Sequence, residues 1–145
     1  MATTPPRIAV VDYGAGNLRS VSKALERSGM RAEICGDPAS LRQADGMVLP
    51  GVGAFADAAR SLREKGLDEA VLEAIRVGRP YLGLCLGLQV LFDESDEHGV
   101  TQGLGLLPGR IERFRSGEVA VTRTKVPLPH VAFDSHGDLL NGRQW

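Results

Sequence analysis

The chain has 145 residues, of which 43% are hydrophobic and 24% charged, and its formal net charge is −1. This length fits one domain with a buried core, and the balanced charge gives no electrostatic reason to expect nucleic acid or an anionic membrane as a partner. No apolar run approaches the roughly 20 residues that span a bilayer, and the start MATTPPR has no apolar core after a basic residue, so we expect no secretory signal.

Strand and helix patterns alternate along most of the chain. Short apolar or β-branched runs predict buried strands at RIAVVDYG (7–14), MRAEIC (30–35), GMVLPG (46–51) and PYLGL (80–84). Amphipathic spacing predicts helices over 17–29, 37–44, 55–65, 68–77 and 86–95. Asn17 and Asp37 are the predicted N-caps of the first two helices, and Pro38 suits a first helical turn.

The strand runs are apolar throughout, which is typical of a parallel sheet covered on both faces. We predict an α/β fold with a doubly wound, mostly parallel sheet, helices on both faces, and functional loops at the carboxyl ends of the strands. Beyond Gly99 the pattern changes. Strands are predicted at GLGLLPGRIERF (103–114) and EVAVTRT (118–124), as antiparallel additions at a sheet edge. We expect one domain over residues 1–145, with residues 1–6 disordered.

The segment GLCLG (83–87) places Cys85 between two glycines, where a predicted strand meets a predicted helix. This is the G-x-nucleophile-x-G form of a nucleophile elbow, with a thiol in place of a hydroxyl. A sharp strand-to-helix turn strains the corner residue, so the residues two positions away must be small. The helix N-terminus favours thiolate over thiol, and the N–H of Leu86 would face a developing oxyanion. The alternative, that Cys85 is a small buried hydrophobe, stays open.

Two other glycine-containing loops follow predicted strands. LPGVGAF (49–55) can face the elbow and lend a second N–H to an oxyanion hole; the alternative is a simple turn. DYGAGN (12–17) invites a dinucleotide-binding interpretation, but the motif would need glycine at Arg19, so nucleotide binding is disfavoured. Cys35 does not have glycines on both sides and is expected to be a structural residue in the core or at the surface. With two cysteines that share no metal-ligand spacing, we expect free thiols in the cytoplasm, no metal and no cofactor.

These loops resemble those of the class I (triad) glutamine amidotransferases and, more narrowly, of the amidotransferase subunits of imidazole glycerol phosphate synthase. The resemblance is carried by VVDYGAGNL (10–18), LPGVGAF (49–55) and GLCLGLQVLFDESDE (83–97), with GLGLLPG (103–109) and KVP (125–127) adding to it. It implies a flavodoxin-like amidotransferase fold and hydrolysis of glutamine to glutamate and ammonia. It also implies a partner, a cyclase subunit with a (β/α)8 barrel, to which ammonia is passed in histidine biosynthesis.

The resemblance also assigns site residues. Cys85 would be the nucleophile that forms a glutamyl thioester. At Gln89 the residues alone leave a solvated helix face open as an alternative. The oxyanion-hole donors would be Gly51, Val52, Gly53 and Leu86. Gln89 and Glu97 would bind the glutamine substrate, and Asn17 would contact the cyclase.

The sequence departs from this family in its last third. Cysteine-based hydrolysis uses a base and an orienting carboxylate, which the resemblance places in an H-P-E arrangement that this sequence lacks. His98 is predicted at an exposed helix end. His130 follows KVP with two extra residues and without the expected glycine and tryptophan, and His136 lies in DSHGD with no pattern that places it near Cys85. We therefore expect residues 128–145 to be divergent and the late strands of the sheet to be missing.

Little glutaminase turnover is accordingly expected from residues 1–145 alone, with recovery when a complete C-terminal segment is restored. Two alternatives stay open. One is an amidotransferase-like domain that binds the cyclase without hydrolysing glutamine. The other is a cysteine hydrolase or chaperone-like relative with the same elbow, which the absence of a glutamate after VVDYG disfavours.

Overall fold

A computed structural model describes residues 4–113, 132–133 and 139–140 of the chain. The contacts divide the chain after Arg113. The described part before this division contains, in order, β1 Arg7–Val11, α1 Leu18–Arg27, β2 Arg31–Cys35, α2 Pro38–Arg42, β3 Gly46–Leu49, α3 Phe55–Glu64, α4 Leu67–Arg76, β4 Tyr81–Gly83, α5 Leu86–Gln89, β5 Phe92–Ser95, β6 Thr101–Gln102 and β7 Leu107–Ile111. In the part after it, β8 Ala132–Phe133 pairs antiparallel with β9 Leu139–Leu140.

The strands β1 to β4 form a parallel sheet in the order β2-β1-β3-β4. The chain runs from β1 to β2 on one side, and then back past β1 to β3 and β4 on the other side. Right-handed crossovers therefore place α1 on one face of the sheet and α2, α3 and α4 on the other. The predicted mixed α/β fold, with a parallel sheet and helices, is therefore confirmed. In such doubly wound sheets, ligands bind beyond the carboxyl ends of the strands where the direction reverses, which here is between β1 and β3.

The main core lies on the sheet face covered by α2, α3 and α4. Ala9 and Val11 both reach this face, as the two-residue period of a strand requires. They pack with buried residues of the neighbouring strands and helices, among them Cys35, Leu41, Met47, Leu49, Phe55, Leu62, Leu67 and Val71. Cys35 is thus part of the core, as predicted.

Two helix starts show how local sequence sets element boundaries. At α2, Asp37 Oδ1 accepts a hydrogen bond from the N–H of Ser40 at 2.9 Å, and Pro38 lies in the first turn, as predicted. At α1, Asn17 occupies the N-cap position, but its side chain makes no capping hydrogen bond. The side-chain capping expected of Asn17 is therefore wrong, and this residue is exposed.

The predicted helix over residues 86–95 is wrong in its second half, because α5 ends at Gln89 and a strand, β5, follows. The carbonyl oxygens beyond the helix accept hydrogen bonds from a distant segment instead of from the next helical turn. The N–H of Leu104 donates to Val90 O at 2.7 Å, and the N–H of Leu106 donates to Leu91 O at 2.9 Å. An apolar run such as VLF suits a buried strand as well as a helix, and this long-range pairing decides between them.

β5 is the middle strand of a second sheet with the order β6-β5-β7, in which β6 is antiparallel and β7 parallel to β5. The strand predicted over 103–114 corresponds to β7. Its expected place as an antiparallel addition to the main sheet is wrong, since β7 pairs with β5. His98 is exposed, but it lies in the turn between β5 and β6 rather than at a helix end.

Several predictions fall on parts of the chain that the structure does not describe. These are the strand over 118–124, the late strands, and the surroundings of His130 and His136. The single domain over residues 1–145 and the disorder of residues 1–6 stay predictions. Within the described residues, no helix is both long enough and apolar enough to cross a membrane.

Candidate active site

Cys85 stands at the corner between β4 and α5 in a strained backbone conformation. Its φ is 54° and its ψ is −111°, and among the described residues it is the one non-glycine residue with positive φ. Such a conformation costs about 1–3 kcal/mol and persists where the surrounding structure enforces it. The thiol of Cys85 is exposed, whereas that of Cys35 is buried. The strand-to-helix corner predicted for this cysteine is therefore present, and Cys85 is exposed there.

The two glycines of the GLCLG segment are required by close backbone contacts. A Cβ atom on Gly87 would lie 1.8 Å from the carbonyl oxygen of Leu49 in β3, and one on Gly83 would lie 2.6 Å from the carbonyl carbon of Gly87. The N–H of Leu84 also donates to Leu49 O at 3.0 Å. The elbow is thus packed directly on the backbone of β3. The crowding between Gly83 and Gly87 is the predicted effect of the sharp turn, whereas the contact of Gly87 with β3 was not predicted.

The side chain of Tyr81 forms a hydrogen bond to the short helix α5. Its hydroxyl donates a hydrogen bond to the carbonyl oxygen of Gly87 at 2.6 Å. Burial, together with the nearby Tyr13, raises the pKa of Tyr81 far above its ordinary value, so this phenol stays protonated and remains a donor. The N–H of Leu86 is at the first position of α5, where a helix leaves backbone donors without partners inside the helix.

The loop after β3 lies against the elbow. Gly51 is buried, and a Cβ atom placed on it would come within 2.7 Å of both Leu86 Cβ and the hydroxyl oxygen of Tyr13. Val52, by contrast, is 63% exposed, and Gly53 has a φ of 97°. The structure therefore brings together Gly51 and Leu86, two of the four residues predicted for the oxyanion hole, and leaves Val52 accessible.

Tyr13 is a residue of this region that the sequence analysis did not single out. It is 3% exposed, and its hydroxyl has no hydrogen-bond partner within the described residues. Burial raises the pKa of Tyr13, and the nearby Cys85 raises it further. The signal available in the sequence was its position in DYG, directly after the first strand. Its hydroxyl oxygen lies beside Gly51.

The remaining predicted residues lie at different places around the elbow. Gln89 ends α5, and its N–H donates to the carbonyl oxygen of Cys85 at 3.2 Å. The carboxylate of Glu97 accepts a hydrogen bond from the N–H of Phe55 at 3.2 Å. Asn17 is the last residue of the loop after β1 and is exposed. It follows Gly16, on which a Cβ atom would lie 3.3 Å from Pro50 Cγ, so the loops after β1 and β3 touch.

A cavity of about 370 Å³ is lined in part by the loop after β3. It is bounded by the loop after β1 and by the first turns of α3, and its lining includes Tyr13, Gly14, Val52, Asp57 and Ser61. Cys85 is not among the residues that line this cavity. No cluster of three or more metal-ligating side chains occurs in the parts of the chain that the structure describes.

Comparison with known proteins agrees with this geometry. Residues 7–129 match the family described as CobB/CobQ-like glutamine amidotransferase domain. The chain is 51% identical to "Imidazole glycerol phosphate synthase subunit HisH" of Gloeobacter violaceus, covering 100% of this chain and 61% of that protein. It is 54% identical to the protein of the same name from a Geobacillus species, covering 83% of this chain and 57% of that protein.

A solved structure described as a glutamine amidotransferase superposes with a TM-score of 0.63 at 25% identity, covering 76% of this chain and 58% of that one. The chain thus spans about three fifths of the length of the curated relatives it matches. The family match includes the elbow and the loops after β1 and β3. The chain belongs to the CobB/CobQ-like glutamine amidotransferase domain family.

Proposed function

We propose that this chain supplies the nucleophile and the oxyanion-binding side of a glutaminase site. The observation that carries the proposal is Cys85 itself, an exposed thiol held at positive φ on an elbow against the Gly51 loop. The sulfur attacks the carboxamide carbon of glutamine, and the C–N bond breaks as the nitrogen takes up a proton and leaves as ammonia. Water then cleaves the resulting thioester to give glutamate and the free thiol.

Negative charge that develops on the carboxamide oxygen needs hydrogen-bond donors. We propose as donors the N–H of Leu86, next to Cys85 in sequence, and the peptide N–H groups of the Gly51–Gly53 loop, where Gly51 packs against Leu86. Each oxyanion donor in such sites contributes about 10²- to 10³-fold in rate. Gln89 is proposed to bind the glutamine substrate; the family resemblance implies the same role for Glu97, whose carboxylate accepts a hydrogen bond from the N–H of Phe55. The base and carboxylate that hydrolysis also uses are not assigned to any of the described residues.

We further propose that the ammonia passes to a cyclase subunit with a (β/α)8 barrel, in the cytoplasm, and that Asn17 contributes to this contact. The support is the name shared by relatives about half identical in sequence, which describes them as subunits of imidazole glycerol phosphate synthase. Direct transfer also makes chemical sense, because ammonia released into water near neutral pH is mostly protonated and no longer nucleophilic. Asn17 is exposed beside the loops that meet at the elbow.

The experiment measures glutamate release from glutamine with the cyclase and its nucleotide ligand present. We expect negligible turnover from the 145-residue chain, and turnover that depends on Cys85 when the C-terminal segment of the Gloeobacter relative is added. The chain alone is also treated with a glutamine chloroketone, which should alkylate Cys85 and be blocked by glutamine. Cys85→Ala is the control for both measurements. Binding to the cyclase without labelling that glutamine blocks would favour the alternative of a binding-only domain.

A further inference from the structure

We propose that Glu97 is a positioning residue that holds the oxyanion loop in place by capping helix α3. The catalytic consequence rests on the proposed function, whereas the cap itself does not. Glu97 Oε2 accepts a hydrogen bond from the N–H of Phe55 at 3.2 Å. Phe55 is the first residue of α3 and follows Gly53 by only two positions. A constraint on the amide of Phe55 is therefore a constraint on the end of the Gly51–Gly53 loop.

Helix α3 needs an acceptor at its start that its own sequence does not supply. The N-cap position is Ala54, which makes no side-chain capping bond. A helix N-terminus leaves its first N–H groups without partners and carries partial positive charge. The carboxylate in the first turn, Asp57, is exposed and forms an ion pair with Arg60 at 2.6 Å. Glu97 thus provides, from 42 residues along the chain, an anionic acceptor for this helix end.

The segment that carries Glu97 is itself held firmly. The N–H of Glu97 donates to Ser95 Oγ at 3.2 Å, and Ser95 is 1% exposed within β5. The last turn of α3 is joined to the same sheet, since Arg63 donates to the carbonyl oxygens of Gln102 and Gly103 at 2.9 and 2.7 Å. The helix is therefore attached at both ends to the second sheet, with Glu97 as the attachment nearest the oxyanion loop.

This role makes a different demand on the side chain from the substrate-binding role that the family resemblance implies. A cap needs an oxygen acceptor at the right place, and a glutamine side chain supplies one. Binding the ammonium group of a substrate needs the negative charge, which glutamine lacks. The variants Glu97→Gln and Glu97→Ala therefore separate the two roles. Glu94→Gln is the matched control, because Glu94 lies on β5 and pairs with Arg110 at 3.1 Å rather than with α3.

Amide hydrogen exchange of peptides that span residues 50–56 tests the cap without any enzyme activity. We expect exchange at Phe55 to accelerate about fivefold in Glu97→Ala, which corresponds to loss of one hydrogen bond. Glu97→Gln and Glu94→Gln should both exchange as the wild type does. Unchanged exchange in Glu97→Ala would overturn the proposal.

Labelling of Cys85 by the glutamine chloroketone tests the consequence for the site. The maximal labelling rate and the half-saturating concentration are measured separately, with iodoacetamide as a reagent that needs no recognition. We expect the maximal labelling rate to fall about tenfold in Glu97→Ala through misplacement of the loop, with little change in the half-saturating concentration. Glu97→Gln should be labelled as fast as the wild type. If the half-saturating concentration rises equally in Glu97→Gln and Glu97→Ala, the negative charge of Glu97 is needed to bind substrate. That result would overturn the proposed positioning role. Faster exchange in Glu97→Ala without chloroketone labelling in any protein, wild type included, would support the cap and overturn the proposed function.

Discussion

Gly87 lies against the backbone of β3, so the variant Gly87→Ala tests how tightly the elbow is packed. The added Cβ atom would lie 1.8 Å from Leu49 O, and a separation of 3.0 Å would require the two backbones to move apart by about 1.2 Å. The atom on the other side is not a side chain that can rotate away. It is a carbonyl oxygen that also accepts the N–H of Leu84 at 3.0 Å.

Two costs follow from this geometry. Overpacking in a rigid site costs about 1–3 kcal/mol, and backbone on both sides favours the upper end of that range. Weakening the hydrogen bond between Leu84 and Leu49 adds about 1 kcal/mol. We therefore expect Gly87→Ala to lower the free energy of unfolding by about 3–4 kcal/mol, a large part of the 5–15 kcal/mol that is usual for a domain.

Urea unfolding followed by circular dichroism measures this change. With a slope of about 1.5 kcal/mol per molar urea, the midpoint should fall by about 2 M. Gly36→Ala is the control, because its Cβ atom would lie 3.4 Å from the nearest atom, at ordinary contact distance, and should change stability by less than about 1 kcal/mol. If Gly87→Ala unfolds within 1 kcal/mol of the wild type, on the order of an ordinary surface change, the packing argument for the elbow is wrong.

Three further predictions concern the same corner. Tyr81→Phe removes the hydrogen bond to Gly87 O and should cost about 1–2 kcal/mol in urea unfolding, whereas Tyr13→Phe removes a hydroxyl that has no partner among the described residues and should be near neutral. Folding raises the pKa of both tyrosines, so the native state keeps protons that the unfolded chain loses. The contribution of these two tyrosines to stability should therefore be constant below about pH 10 and fall above it by up to about 1.4 kcal/mol per pH unit for each tyrosine. An equally steep fall in Tyr81→Phe would contradict this. Cys85→Gly should be about 1 kcal/mol more stable than Cys85→Ala. Glycine relieves the strain of positive φ, and this gain exceeds the cost of the greater entropy that glycine gives the unfolded chain. Equal thermal midpoints of the two variants would refute backbone strain at this position.

The local parts of the fold and the site could be predicted from sequence because their causes are local. The four parallel strands follow from apolar runs bounded by turns, and the Asp37 cap follows from one side chain and a neighbouring amide. The elbow at Cys85 could also be predicted from the sequence, because steric crowding at a sharp turn requires small residues at fixed spacing. In each case the residues that act together are within a few positions of one another.

What could not be predicted depends on which distant segments meet. The extension of helix α5 fails because the carbonyl oxygen of Val90 accepts the N–H of Leu104, an interaction that no local pattern encodes. The burial of the Tyr13 hydroxyl beside Gly51 and the hydrogen bond from Phe55 to Glu97 arise in the same way. Sequence spacing located the reactive thiol, but the groups that surround it come from loops whose adjacency is a property of the strand order.

Cys85 lies two residues after the end of β4, so its backbone geometry depends on the pairing of β4 within the sheet. β4 has three residues, and in the described part of the chain its sheet neighbour is β3 alone. Local opening of so short a strand would let the corner at Cys85 relax to an ordinary backbone angle, so the energy held in the turn favours that opening. The exposed thiol therefore keeps its strained backbone angle only while β4 stays paired with β3.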